Sequence, residues 1–213
     1  MAVENKTKIA VLVSGGGTNL QALIDAQTAG KLRSGEIVLV VSSKPDVYAL
    51  ERAANAGIPA AVASRKLLKT QAAFEETLLE LLNESHIELI VLAGFLSILS
   101  EDFVKRYPNR IVNVHPSLIP SFCGDGFYGL RVHEAALARG VKVTGATVHF
   151  VNEITDGGEI ILQKAVSVKK GDTPETLQRR VMEEAEWKIL PEAVEQVAAK
   201  IAKDKEKDKE KQK

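Results

Sequence analysis

Along the chain, short β-branched apolar runs alternate with stretches whose apolar residues fall at helical spacing. Ile9 to Val13, Glu36 to Val41, Pro59 to Ala63, Leu89 to Ala93 and Ile111 to His115 read as strands. Between them, Asn19 to Ala29, Val47 to Ala56 and Gln71 to Asn83 read as helices, the last with Phe74, Leu78, Leu81 and Leu82 on one stripe. Gly57 and Pro59 form a stop signal after the second helix. This rhythm predicts βαβ units and an α/β fold with a mostly parallel, doubly wound, Rossmann-like sheet.

After His115 the rhythm changes. A glycine-rich stretch, SFCGDGFYG at 121–129, leads into a helix near Arg131 to Ala138. Two longer strands follow, Lys142 to Val151 and Glu159 to Val168, and predict an antiparallel C-terminal extension of the sheet. Thr173, Pro174 and Glu175 supply an N-cap, a first-position proline and a first-turn acid for a last helix that runs to about Lys200. Beyond it KDKEKDKEKQK has no apolar residue, so the expectation is one domain over 1–202 and a disordered charged tail over 203–213.

Composition narrows the function classes. Lys+Arg and Asp+Glu both number 28, so no global basic field recruits nucleic acid or an anionic membrane. No apolar stretch approaches the roughly 20 residues of a membrane span, and the N-terminus is not a signal peptide. A single cysteine, Cys123, excludes an internal disulfide and fits a reducing compartment, so a cytoplasmic location is expected. Four histidines without ligand spacing argue against a metal, with His86 and His133, near helix ends, read as surface residues.

Candidate chemistry begins with Asn113 and His115. Two residues apart on a strand, they share a face at its end, where Pro116 stops the ladder. A side-chain amide and an imidazole that converge suit a developing oxyanion, hence acyl transfer; the run Ile111 to Leu118 also fits polar residues on a half-exposed edge strand. Ser14 to Gln21, SGGGTNLQ, lies where the first strand meets the first helix and offers free amides to a single phosphate. It lacks the lysine of a Walker A loop and the third glycine of a dinucleotide fingerprint, and a purely structural tight turn remains open. Asp156, in Thr155-Asp156-Gly157-Gly158, reads first as a hairpin turn. If it projects toward His115, it would raise the imidazole pKa and accept a proton. His149 reads equally as a structural histidine or a ligand. Phe95, Leu96 and Leu99 are core by default, or an apolar wall for a flat ring.

SGGGTNLQ, LAGFLSIL, NVHPSLIP, GATVHFV and TDGGEIILQ, in this order, closely resemble the phosphoribosylglycinamide formyltransferases, folate-dependent enzymes of purine synthesis. The same core occurs in methionyl-tRNA formyltransferase, with an extra C-terminal domain, and formyltetrahydrofolate deformylase, with an N-terminal one; neither addition is expected here. The resemblance implies the formyltransferase fold and makes Asn113, His115 and Asp156 the catalytic set. It puts Gly16, Gly17, Thr18 and Asn19 at the substrate phosphate and Glu186 near its ribose, although Glu184 to Trp187 contains one residue more than the usual pattern. It assigns Leu92, Phe95, Leu96, Ile98 and Leu99 to a folate wall, with Val151, Asn152, Glu153, Ile154, Thr155 and Asp156 around the pterin. Ser97 and Gln71 stand where some relatives have arginines, and the loop after Pro120 is longer. The implied co-substrate is 10-formyltetrahydrofolate, with no metal. The implied partners are small molecules, neither nucleic acid nor membrane, for a monomer or homodimer. A rival reading is a non-catalytic phosphate-ligand sensor, or a deformylase-like hydrolase.

Overall fold

The computed structural model describes residues 6–211, which divide into two compact units, 6–99 with 194–211, and Ser100–Ala193. The sequence predicts one domain over 1–202. No Pro- or Ser-rich linker separates the units, and the chain returns to the first one inside its last helix, so composition carries no boundary signal.

The first unit holds β1 (Thr7–Val13), α1 (Thr18–Thr28), β2 (Gly35–Ser42), α2 (Tyr48–Asn55), β3 (Ala60–Val62), a short α3 (Arg65–Leu68), α4 (Gln71–Glu84) and β4 (Leu89–Leu92). Its strands run in the order β3-β2-β1-β4, all pairings parallel, as the βαβ rhythm predicts. Strands β1 and β4 are buried almost throughout, which is why they read as continuous apolar runs. On α4, Phe74, Leu78 and Leu82 form the buried stripe.

In the second unit, α5 (Glu101–Lys105) precedes β5 (Ile111–His115), followed by α6 (Leu130–Arg139), β6 (Val143–Phe150), β7 (Ile160–Ser167) and α7 (Pro174–Val181). Strand β6 pairs antiparallel with both β5 and β7, so the predicted antiparallel extension is present. The cap of α7 is as predicted and goes further: Thr173 and Thr176 bond reciprocally in a capping box.

A π-helical turn, Met182–Glu186, separates α7 from α8 (Trp187–Lys211). Past the expected end, α8 continues through the charged residues to Lys211, where the sequence reads as a charged tail; 212 and 213 lie outside the described residues. Two contacts favour helix: Lys205 Nζ lies 2.9 Å from Glu88 Oε2, and Lys207 lies 3.8 Å from Asp204 at i,i+3 spacing. Such partly exposed pairs contribute little. Truncation after Ala202 should therefore lower stability by less than about 1 kcal/mol, read from the urea midpoint. A loss of several kilocalories would mean the helix end is a docking element. Among the described residues no helix is long and apolar enough to cross a membrane.

Candidate active site

Asn113 and His115 point from one face at the end of β5, and antiparallel pairing sets His149 directly opposite Asn113 and Thr147 opposite His115. Thr147 is fully buried and fixes the chain after His115: its Oγ1 donates to the Ser117 carbonyl at 2.7 Å and accepts from Ile119 N at 3.1 Å. Asp156 comes to this face from the long connection between β6 and β7. Its Oδ2 is 3.4 Å from His115 Nδ1 and its Oδ1 is 3.6 Å from His149 Nε2.

The Asp-Gly hairpin read from the sequence is only part of a wider loop. Its turn is closed by Gly157 N–H donating to the Ile154 carbonyl at 2.9 Å, and Asp156 itself takes the positive φ of 55°. Asp tolerates this left-handed geometry better than most side chains. At Gly158 a Cβ would stand 1.8 Å from the Phe150 carbonyl oxygen, so only glycine closes the loop there.

The glycine-rich segment 121–129 covers the same groups through its backbone. His115 Nε2 is 2.9 Å from the Phe122 carbonyl oxygen. A carbonyl can only accept, so Nε2 carries the proton. Gly124 N–H donates to Asp156 Oδ2 at 2.9 Å, and Thr155 Oγ1 donates to Asp125 at 2.9 Å. Phe122 holds a φ of 51°, a strained value for a bulky residue, at the point where its carbonyl meets His115.

Charges follow from these contacts. Burial lowers the His115 pKa below the ordinary histidine value, and this outweighs the opposing pull of the Asp156 charge. The upward shift expected from Asp156 is therefore corrected: the carboxylate is present but desolvation wins. For Asp156 itself burial would raise the pKa. His149 and His115, through the protonated forms of their rings, together with Gly124 N–H, overcome that and hold it below the usual carboxylate range. Cys123, in the same segment, has its thiol pushed up by burial and then by Asp156, away from reactive thiolate.

His133 departs from its expected place. It is fully buried on α6 beside Val132 and Ala136, neither ring nitrogen has a hydrogen-bond partner, and burial lowers its pKa to about 4. His86 is exposed as expected. Among the described residues no group of three His, Cys, Asp or Glu could hold a metal.

In the first unit, α1 begins at Thr18 after Gly17, whose φ of 72° is left-handed. A Cβ on Gly17 would also stand 2.7 Å from Ala49 Cβ, whereas Gly15 and Gly16 face open space. Arg52 Nε donates to the Gly16 carbonyl at 2.8 Å. Because carbonyl and N–H of a trans peptide point opposite ways, this turns the Gly17 N–H away from Arg52. Ser14 Oγ accepts from Leu96 N at 2.9 Å, tying the glycine loop to the 92–99 segment. There Leu92 is buried, Phe95 stacks on Phe74 at 6.4 Å, and Leu96 and Ile98 are exposed at 57% and 74%, more than a core role allows. Gln71 Nε2 donates to the Ile98 carbonyl at 3.0 Å. Of the other candidates, Val151 and Asn152 are half-buried, Glu153, Ile154 and Thr155 exposed, and Glu186, in the π turn, is 5% exposed.

Residues 7–194 match the formyl transferase family. The trifunctional purine biosynthetic protein adenosine-3 of Bos taurus is 49% identical over 91% of this chain, which spans only 18% of that protein's length. Phosphoribosylglycinamide formyltransferase of Haemophilus influenzae is 41% identical over 86% of this chain and 84% of its own length. The crystal structure of glycinamide ribonucleotide transformylase 1 from Symbiobacterium toebii superimposes with a TM-score of 0.84 at 42% identity, covering 91% of this chain and 88% of that one. With the parallel strands, the antiparallel extension and the Asn, His and Asp cluster already in place, this chain belongs to the formyl transferase family.

Proposed function

We propose that this chain transfers the formyl group of 10-formyltetrahydrofolate to the amine of 5'-phosphoribosylglycinamide, giving 5'-phosphoribosyl-N-formylglycinamide and tetrahydrofolate in de novo purine biosynthesis. The convergence of the Asn113 amide, the His115 imidazole and the Asp156 carboxylate on one strand end carries this reading. It is supported by 41% identity to the Haemophilus phosphoribosylglycinamide formyltransferase over most of both chains.

The substrate amine attacks the formyl carbon and a C–N bond forms. The resulting oxyanion takes donors from Asn113 Nδ2 and His115 Nε2, the formyl oxygen replacing the Phe122 carbonyl as the acceptor of the Nε2 proton. A neutral imidazole suffices for this. Asp156, ionised beforehand, takes the excess amine proton, directly or through a water, and returns it to N10 of the folate as the C–N10 bond breaks. No covalent enzyme intermediate is needed, because the nucleophile is the substrate's own amine.

In this reading Gly16, Gly17, Thr18 and Asn19 take the phosphate at the start of α1, and Glu186 takes the ribose. Leu92, Phe95, Leu96, Ile98 and Leu99 form the apolar folate wall, supported by the exposure of Leu96 and Ile98, with residues 151–156 around the pterin. Gly16 offers the cleaner test of the phosphate site, since a side chain there meets no protein atom within 4 Å. Gly16→Val should leave the melting temperature nearly unchanged. The KM for phosphoribosylglycinamide should rise on the order of 10–100-fold, the scale of lost hydrogen bonds to a charged group, with little change for the folate. Equal damage to both KM values would place the phosphate elsewhere.

Incubation with both substrates tests the whole reading through the absorbance change that accompanies tetrahydrofolate release. Formyl loss without the ribonucleotide would make the chain a deformylase-like hydrolase. Saturable binding with no turnover would make it a sensor.

A further inference from the structure

We infer that His149 is a positioning residue that holds the Asn113 amide in the orientation needed to donate to the oxyanion; this rests on the formyl-transfer reading of the site. His149 is 1% exposed, and its ring is fixed at both ends. Nδ1 lies 2.8 Å from the Phe150 carbonyl oxygen, which can only accept, so Nδ1 carries the proton. In the neutral ring Nε2 is then a bare lone pair. It stands 3.2 Å from Asn113 Nδ2, within hydrogen-bond range, and 3.6 Å from Asp156 Oδ1, beyond it.

A lone pair can only accept, and among the two atoms of the Asn113 amide group only Nδ2 has hydrogens to give. The imidazole therefore decides which way the amide faces. With one Nδ2 hydrogen engaged by His149, the other remains for substrate. Were the amide flipped, its oxygen would meet the His149 lone pair and a developing oxyanion would face reduced donor capacity.

His149→Phe keeps a ring and removes both nitrogens. His149→Gln restores a terminal group able to accept from Asn113. The Phe variant should lose on the order of 10–100-fold in kcat, less than removal of an oxyanion donor itself, with both KM values within about threefold of the parent. The Gln variant should recover most of that loss. In an Asn113→Ala background, His149→Phe should cost nothing further, because its only route to the reaction is gone. Equal losses in the Phe and Gln variants, or full additivity with Asn113→Ala, would overturn the inference.

A measurement on the unmutated protein keeps it testable if a variant fails to fold. Nitrogen-15 NMR of the neutral His149 ring should show the proton on Nδ1 and a bare Nε2, with a coupling across the hydrogen bond to Asn113 Nδ2. A proton on Nε2 in the neutral ring would end the argument. Failure of the formyl-transfer reading would appear separately, as absence of turnover in the unmutated protein with the His149 tautomer unchanged.

Discussion

Asp156→Asn is expected to lower kcat on the order of 10²–10⁴-fold, the scale for losing a positioned acid–base group, while both KM values change little. The substitution is nearly isosteric. Asn retains an oxygen to accept from Gly124 N–H and is at home at the φ of 55° that this position demands. It loses the charge and the proton acceptor. His115 reports the same change independently. Burial already lowers its pKa, and Asp156 is the leading influence in the opposite direction, so its removal should lower the pKa further in an NMR titration. Near-normal turnover in a folded Asp156→Asn protein would reduce the residue to a turn former. Asn113 and His115 would then remain an oxyanion pair served by some other base.

How far this site could be read from the sequence depended on whether each contact was local. Asn113 and His115 were legible because a strand sets i and i+2 on one face whatever surrounds it. The parallel strands were legible because burial on both faces leaves a continuous apolar run. The partnership of Asn113 with His149 was not, since it depends on the register of β5 against β6, which no residue in either strand announces. The contacts of Phe122 and Gly124 run through backbone atoms common to every residue, so their identity carries no signal. The direction of the His115 shift needed the depth of its burial, which a motif does not give. Some signals were present and unread. Ser100 followed by Glu101 and Asp102 is a cap with an acidic first turn, and it opens α5 with Ser100 Oγ accepting from Phe103 N at 3.2 Å. His133 lies one residue from Val132 and three from Ala136, on the apolar stripe of α6, and its nearness to a helix end was the weaker clue.

That buried histidine should make the protein acid-sensitive in a way one substitution removes. His133 is fully buried, with no partner for either ring nitrogen and a pKa of about 4 against an ordinary value near 6.5. Below pH 6.5 the unfolded chain takes up a proton there that the native state refuses, so the unfolded state binds more protons and stability falls with pH. The contribution is complete above about pH 6.5 and is lost by about pH 4, a total of roughly 3 kcal/mol from the size of the shift. His133→Leu fills similar volume, removes the titrating group and leaves no unpaired polar atom, so at pH 7 its stability should be close to that of the parent. Urea unfolding of both proteins from pH 7 to pH 4 makes the comparison: burial leads the His133 shift and the His115 charge adds to it, while the remaining titrating groups are shared and cancel in the difference. The variant should gain on the parent steadily as the pH falls, by roughly 3 kcal/mol at pH 4. Parallel curves across that range would mean that His133 accepts its proton within the fold, with a polar neighbour or a route to solvent that its burial denies.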